Sequence, residues 1–226
     1  VVDSTNAPPV AAFAINGVSF VVVIGVLLVI RGTSDRRARP DAGGAFAGIR
    51  RGAAHVVASP AIMACCLAII AVAGLGSPLF SYLSVYGESV YEVTGVRLGL
   101  LFGAAGIGSV LFTPLLLSVA PRLPRARLLG GAMLLYGVAV VAMGLAPTYA
   151  ASILVLLCFG GAYLSIASTI NTTIQLVVLE ELSGVVIAIY LMCLTGALPI
   201  GLFVWGEAVD AYGSRATTVA AGVALV

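Results

Sequence analysis

The stretch AIMACCLAIIAVAGLGSPLF, Ala61–Phe80, decides the fold. It runs for twenty residues without one charged side chain. A helix rises 1.5 Å per residue, so this length covers about 30 Å, the hydrocarbon thickness of a bilayer. No water is present there to satisfy a peptide group, so the segment must close its own hydrogen bonds as a helix. Six further stretches have the same character: Pro8–Ile30, Leu98–Ser118, Leu128–Ala146, Ser152–Ile170, Val185–Trp205 and Ala216–Val226. The last holds 11 residues. At about 16 Å of helix it is too short to cross alone and is expected to be an unfinished span. The runs are continuous rather than alternating, which excludes a barrel of transmembrane strands. The expected fold is an all-α, polytopic transmembrane helix bundle.

Composition agrees. Of the 226 residues, 61% are hydrophobic and 9% charged, against about 25% charged in soluble domains. A surface cannot be made water-facing with so few charges, so membrane lipid is the expected surrounding. The net charge of +2 comes from scattered arginines, which excludes a nucleic-acid partner. The eleven basic residues are all Arg. That usage reads as GC-rich, bacterial coding.

The arginines also set an orientation. Arg31, Arg36, Arg37, Arg39, Arg50 and Arg51 follow the first span, and Arg122, Arg125 and Arg127 follow the third. With alternating spans these nine share a side, against Arg97 and Arg215 on the other. Basic loops stay cytoplasmic. The chain is therefore expected in the cell membrane with its Arg-rich loops inside and its first residues outside. Within the long loop, Arg31–Gly44 reads as a linker. Ala45–Val57 places Phe46, Ile49, Ala53 and Val56/Val57 at helical spacing, the pattern of an amphipathic helix on the membrane surface.

No enzyme motif is present, and neither a cofactor nor a metal is expected. Cys65, Cys66, Cys158 and Cys193 lie in apolar spans without metal or redox spacing. His55, the one histidine, falls in the amphipathic segment and reads as an interfacial side chain. Gly74, Gly76 and Pro78 in the second span, Gly99, Gly103, Gly106 and Gly108 in the third (the first two in a GxxxG relation), and Gly196, Pro199 and Gly201 in the sixth are helix-bending or close-packing positions. The fifth span carries Ser165, Ser168, Thr169, Thr172 and Gln175 three or four residues apart, with Asn171 beside them. Such a stripe either lines a substrate pathway or hydrogen-bonds helix carbonyls. Tyr136, Tyr163, Tyr190 and Thr195 are further pathway candidates, whereas Tyr82 and Tyr86 read as interfacial anchors. No acid lies near mid-membrane; Glu207 and Asp210 sit near helix ends. Phosphate-binding loops are absent as well.

Residues Asn171 to Arg215 read NTTIQLVVLEELSGVVIAIYLMCLTGALPIGLFVWGEAVDAYGSR. This resembles the major facilitator superfamily, in particular the bacterial branch that includes the enterobactin exporter and macrolide-efflux-like carriers. The matching positions are Asn171, Thr172, Gln175, Glu180, Glu181, Leu182, Gly184, Val186, Tyr190, Gly196, Pro199, Gly201, Asp210, Gly213 and Arg215. The resemblance implies helices six to twelve of a twelve-helix carrier. Residues 1–30 would be the last helix of the first half, 31–59 the inter-half loop, and 60–226 the second six-helix half, cut short in its last helix. The missing first half would then be a partner. The sequence departs from the family's turn at Ser183 and Val185, where the family has arginines, and at Leu179, where it has proline. Glu180 and Glu181 thus lose their basic neighbours. Arg122, Arg125 and Arg127, with Asp210 and Arg215, become the remaining gate or loop candidates.

The expected function is secondary active transport, the efflux of amphipathic small molecules such as drugs or siderophores by alternating access. A non-transporting scaffold or decayed carrier is the alternative. A seven-helix receptor fits the span count but not the half-length seventh helix.

Overall fold

The computed structural model describes residues 9–29, 44–178 and 180–226. Every regular element among them is helical. Helix α1 is Pro9–Val29 and α2 is Gly44–Ala58. Helix α3 spans Pro60–Val90 with interruptions. Then follow α4 (Val96–Val119), α5 (Arg125–Leu145), α6 (Tyr149–Val177), α7 (Glu180–Tyr212) and α8 (Ser214–Leu225). The all-helical expectation holds. The linker arginines Arg31, Arg36, Arg37 and Arg39 lie outside the described residues.

Two compact units divide the chain, Val1–Pro40 and Asp41–Val226. The first contains α1, one apolar helix whose residues from Asn16 to Val26 are exposed. The second contains everything else.

Helices α3 to α7 are each long and apolar enough to cross a membrane. Their outward surfaces carry Val110, Met192, Phe203 and Leu117, each about 70% exposed. Apolar side chains of that size left bare over several helices are suited to lipid and not to water.

What holds the second unit together is close approach of backbones. Without a hydrophobic driving force between helices, packing in lipid depends on small residues at the seams. Along α4 and α6 these are Gly108, against the Leu157 backbone, and Gly160, against the Ala105 backbone. Ser109 Oγ also donates to the Gly160 carbonyl at 2.9 Å. Along α5 and α8 they are Gly137, Gly144 and Gly222, where an added Cβ would meet α8 or α5 within 3 Å. Gly99 and Gly103 behave differently. Nothing lies within 4 Å of where their side chains would be, so the GxxxG pair makes no seam among the described residues.

Helix α2 forms where the sequence pattern places it and runs one residue past the expected Val57, to Ala58. Its face is split. Gly52 and Val56 are buried, with Gly52 pressed on Val185 of α7. Ile49, Ala53 and Val57 form a second, exposed apolar edge. His55 sits on the docking side, and its Nε2 is buried without a hydrogen-bond partner among the described residues; it is not a free interfacial side chain.

Candidate functional site

Helix α3 is the irregular element, and its irregularity follows from its sequence. Pro78 lacks an N–H, so a carbonyl one turn earlier loses its helical donor. The glycines before it tolerate the distortion. The chain responds by widening: Val72–Gly76 is a π-helical turn, and Ser77 N–H reaches back five residues to the Val72 carbonyl at 2.7 Å. Such insertions are frequent at functional sites.

Three of the helix-bending positions meet here. Gly201 of α7 presents bare backbone to the Gly74 carbonyl, which a Cβ would strike. Gly76 leaves room for the ring of Tyr136, whose hydroxyl would lie 2.7 Å from an added Cβ. Trp205 of α7 donates its indole N–H to the Leu75 carbonyl at 3.0 Å. Gly196, by contrast, faces open space, and Pro199 is exposed.

Tyr136 links this break to an aromatic group. Its ring stacks on Phe159 with centroids 4.7 Å apart and lies 6.3 Å from Tyr163. Tyr136 is wholly buried, with Ser77 of the break beside its hydroxyl but no well-formed hydrogen bond to it among the described residues. Tyr163 is 37% exposed. Tyr190 of α7 is its neighbour, together with Cys65 and Cys66 of α3. Tyr163 is thus exposed on α6 and Tyr190 half-buried on α7.

The polar stripe of α6 divides. Ser165, Thr169 and Thr173 each donate to the carbonyl four residues back, at 2.6–2.8 Å. Thr169 and Thr173 are buried. Ser168, Asn171, Thr172 and Gln175 are exposed along one face, and Gln175 donates to Asn171 across 2.9 Å. Both readings of the stripe thus occur, on different residues. Thr195 of α7 is exposed and donates to the Leu191 carbonyl. The α6 face occupies its last turns, at the end where Arg122, Arg125 and Arg127 connect α4 to α5. Those three arginines are exposed. Glu180 and Glu181 begin α7, but their side chains lie outside the described residues.

Cysteines placed singly at Ser168, Thr172 and Gln175, with the four native cysteines replaced, should report this division. They are expected to react with a water-borne thiosulfonate about tenfold faster than cysteines at Thr169 or Thr173. Equal rates would contradict the exposed face.

The opposite end is tied by tyrosines that sequence reading assigned to the membrane interface or left unassigned. Tyr86, with no exposed surface, donates to Thr218 Oγ1 at 2.6 Å and lies 2.9 Å from the Ser214 carbonyl. Tyr91 stands 6.4 Å from Tyr86 and 6.3 Å from Tyr149 between ring centroids. The hydroxyl of Tyr149 donates to the Arg97 carbonyl at 2.8 Å. Asp210 and Arg215 lie at this end, exposed and without an ion pair to a described residue. The only sequence hint of this cluster was the recurrence of Tyr near helix ends.

Among the described residues no charged side chain is buried and no set of His, Cys, Asp or Glu is placed to hold a metal. What remains is a multi-helix bundle with a broken helix and an exposed, uncharged polar row on α6. No curated protein and no solved structure matches the chain. The signature of the transmembrane secretion effector family does match, over residues 4–226, so the chain belongs to this family of major facilitator-type membrane transporters.

Proposed function

We propose that this chain belongs to an exporter of amphipathic small molecules, working by alternating access. Residues 60–226 would be the second half-bundle of a twelve-helix carrier. The first half would cover the exposed polar face of α6, with the Arg-rich loops in the cytoplasm. One observation carries this reading. Ser168, Asn171, Thr172 and Gln175 form an exposed, uncharged polar row on α6 that runs from the turn after the exposed Tyr163 toward the Arg-rich end. Polar groups facing lipid would be costly, whereas the same groups lining a water-filled entrance are satisfied.

This face, with Tyr163 beside it, offers an aromatic ring, hydroxyls and amides and no charge. It therefore suits substrates held by stacking and apolar contact, with one or two hydrogen bonds, rather than by an ion pair. Rocking of one half against the other would expose it to each side in turn.

The carrier is tested in liposomes, with a panel of lipophilic neutral and cationic dyes and an imposed proton gradient. Directed transport is expected, and Tyr163→Ala or Tyr190→Ala should lower it by about tenfold, in line with loss of one aromatic contact of roughly 1 kcal/mol plus its buried area. A folded carrier that moves none of the panel would count against efflux.

A further inference from the structure

The geometry points to Trp205 as a positioning residue that sets the register, and so the bend, of α3. The π-turn at Val72–Gly76 turns the Leu75 carbonyl toward α7, where it accepts the indole N–H of Trp205 at 3.0 Å. One turn earlier on α7, Gly201 gives the Gly74 carbonyl a bare backbone to lie against. Helix α7 thus presents a donor and a gap, one turn apart, to two consecutive carbonyls of the break. Trp205 is 2% exposed, and its ring packs on Tyr82 beyond the break with centroids 5.9 Å apart. One side chain therefore holds both sides of the irregular turn.

This contact depends on the register. In an unbroken α-helix the Leu75 carbonyl would point along the axis toward the N–H of Leu79. The indole would then be left in an apolar setting without an acceptor. A donor satisfied in one arrangement and orphaned in the other biases the equilibrium between them. Helix α3 would then have two arrangements at Val72–Ser77, of which the structure shows the widened one, and α7 would favour that one through Trp205. The coupling of this change to transport rests on the carrier reading above; the register bias itself does not.

The test uses the carrier with spin labels at Ala61 and Ser89, exposed positions near the two ends of α3. Trp205 is replaced by benzothienylalanine, which keeps the ring shape and lacks the N–H. The interspin distance distribution is expected to gain a second population, with the ratio of the two forms changing about five-fold. Gly201→Ala, which pushes on the Gly74 carbonyl with the indole intact, should shift the distribution in the same direction. An unchanged distribution in the benzothienyl protein, at unchanged helicity, overturns the latch whatever the transport rate. A shifted distribution supports it, and if transport is then absent in every protein tested, the carrier reading fails while the latch stands.

Discussion

Gly160→Leu is expected to break the α4–α6 seam and lower the unfolding temperature of the detergent-solubilised protein by about 5–10 °C, the size expected for roughly 3 kcal/mol in a chain of this length. The reason is geometric. A Cβ at Gly160 would overlap the carbonyl of Ala105, which is backbone and cannot rotate away. The helices must separate, and separation breaks the Ser109–Gly160 hydrogen bond at 2.9 Å. Gly108→Leu meets the Leu157 backbone and should behave in the same way. The control is Gly103→Leu on the same helix, where nothing lies within 4 Å. Its unfolding temperature should stay within about 2 °C of the parent, as for surface changes away from any packing feature. Thermal scans of the four proteins decide it. If Gly103→Leu costs as much as Gly160→Leu, the seam has been placed on the wrong face of α4.

That contrast shows what could be read from the sequence. Hydropathy is local, so the spans were legible: each expected span falls on a helix of the structure among the described residues. Helix ends were less legible: α6 runs to Val177 rather than Ile170, α7 covers Glu180–Tyr212 rather than Val185–Trp205, and α3, expected to stop at Phe80, reaches Val90. Tyr82, Tyr86 and Ser89 interrupt the apolar run there, yet Tyr86 is buried and hydrogen-bonded, so the helix gains from continuing.

Faces were less legible than spans, for a physical reason. In a soluble helix the polar side marks the outside, and periodicity then reveals the core. In a bilayer both sides are apolar, and lipid removes that contrast. Gly99, Gly103, Gly106 and Gly108 therefore read alike, while only Gly108 lies in the seam, against α6, where Gly160 is its counterpart. Thr169 and Thr172 read as one stripe, but Thr169 is buried and Thr172 exposed. The break at Gly74–Pro78 was legible because proline acts on its own helix. Its partners Gly201 and Trp205, well over a hundred positions away, were not legible as partners. Gly201 was marked for bending, and Trp205 carried no signal at all.

Tyr86→Ala is expected to destabilise the protein by about 3–5 kcal/mol, the cost of removing a large buried aromatic side chain. The distribution of hydrogens around its hydroxyl divides that cost. Thr218 donates to the Ser214 carbonyl at 2.7 Å, so its oxygen is left to accept from Tyr86 at 2.6 Å. Tyr86→Phe deletes this one bond and leaves Thr218 satisfied by Ser214. It should cost about 1 kcal/mol. Most of the effect of alanine thus comes from the cavity left between the end of α3 and the first turn of α8. That turn has few other ties to the end of α3, so its amides should exchange hydrogen faster in Tyr86→Ala than in Tyr86→Phe. Tyr212 supplies the comparison. It is 77% exposed at the same end of the bundle, and Tyr212→Ala should change stability by no more than about 0.5 kcal/mol. Thermal unfolding and hydrogen exchange of the three variants rank them directly. A Tyr86→Ala protein as stable as Tyr212→Ala would return Tyr86 to the role of an interfacial anchor and remove the clasp between α3 and α8.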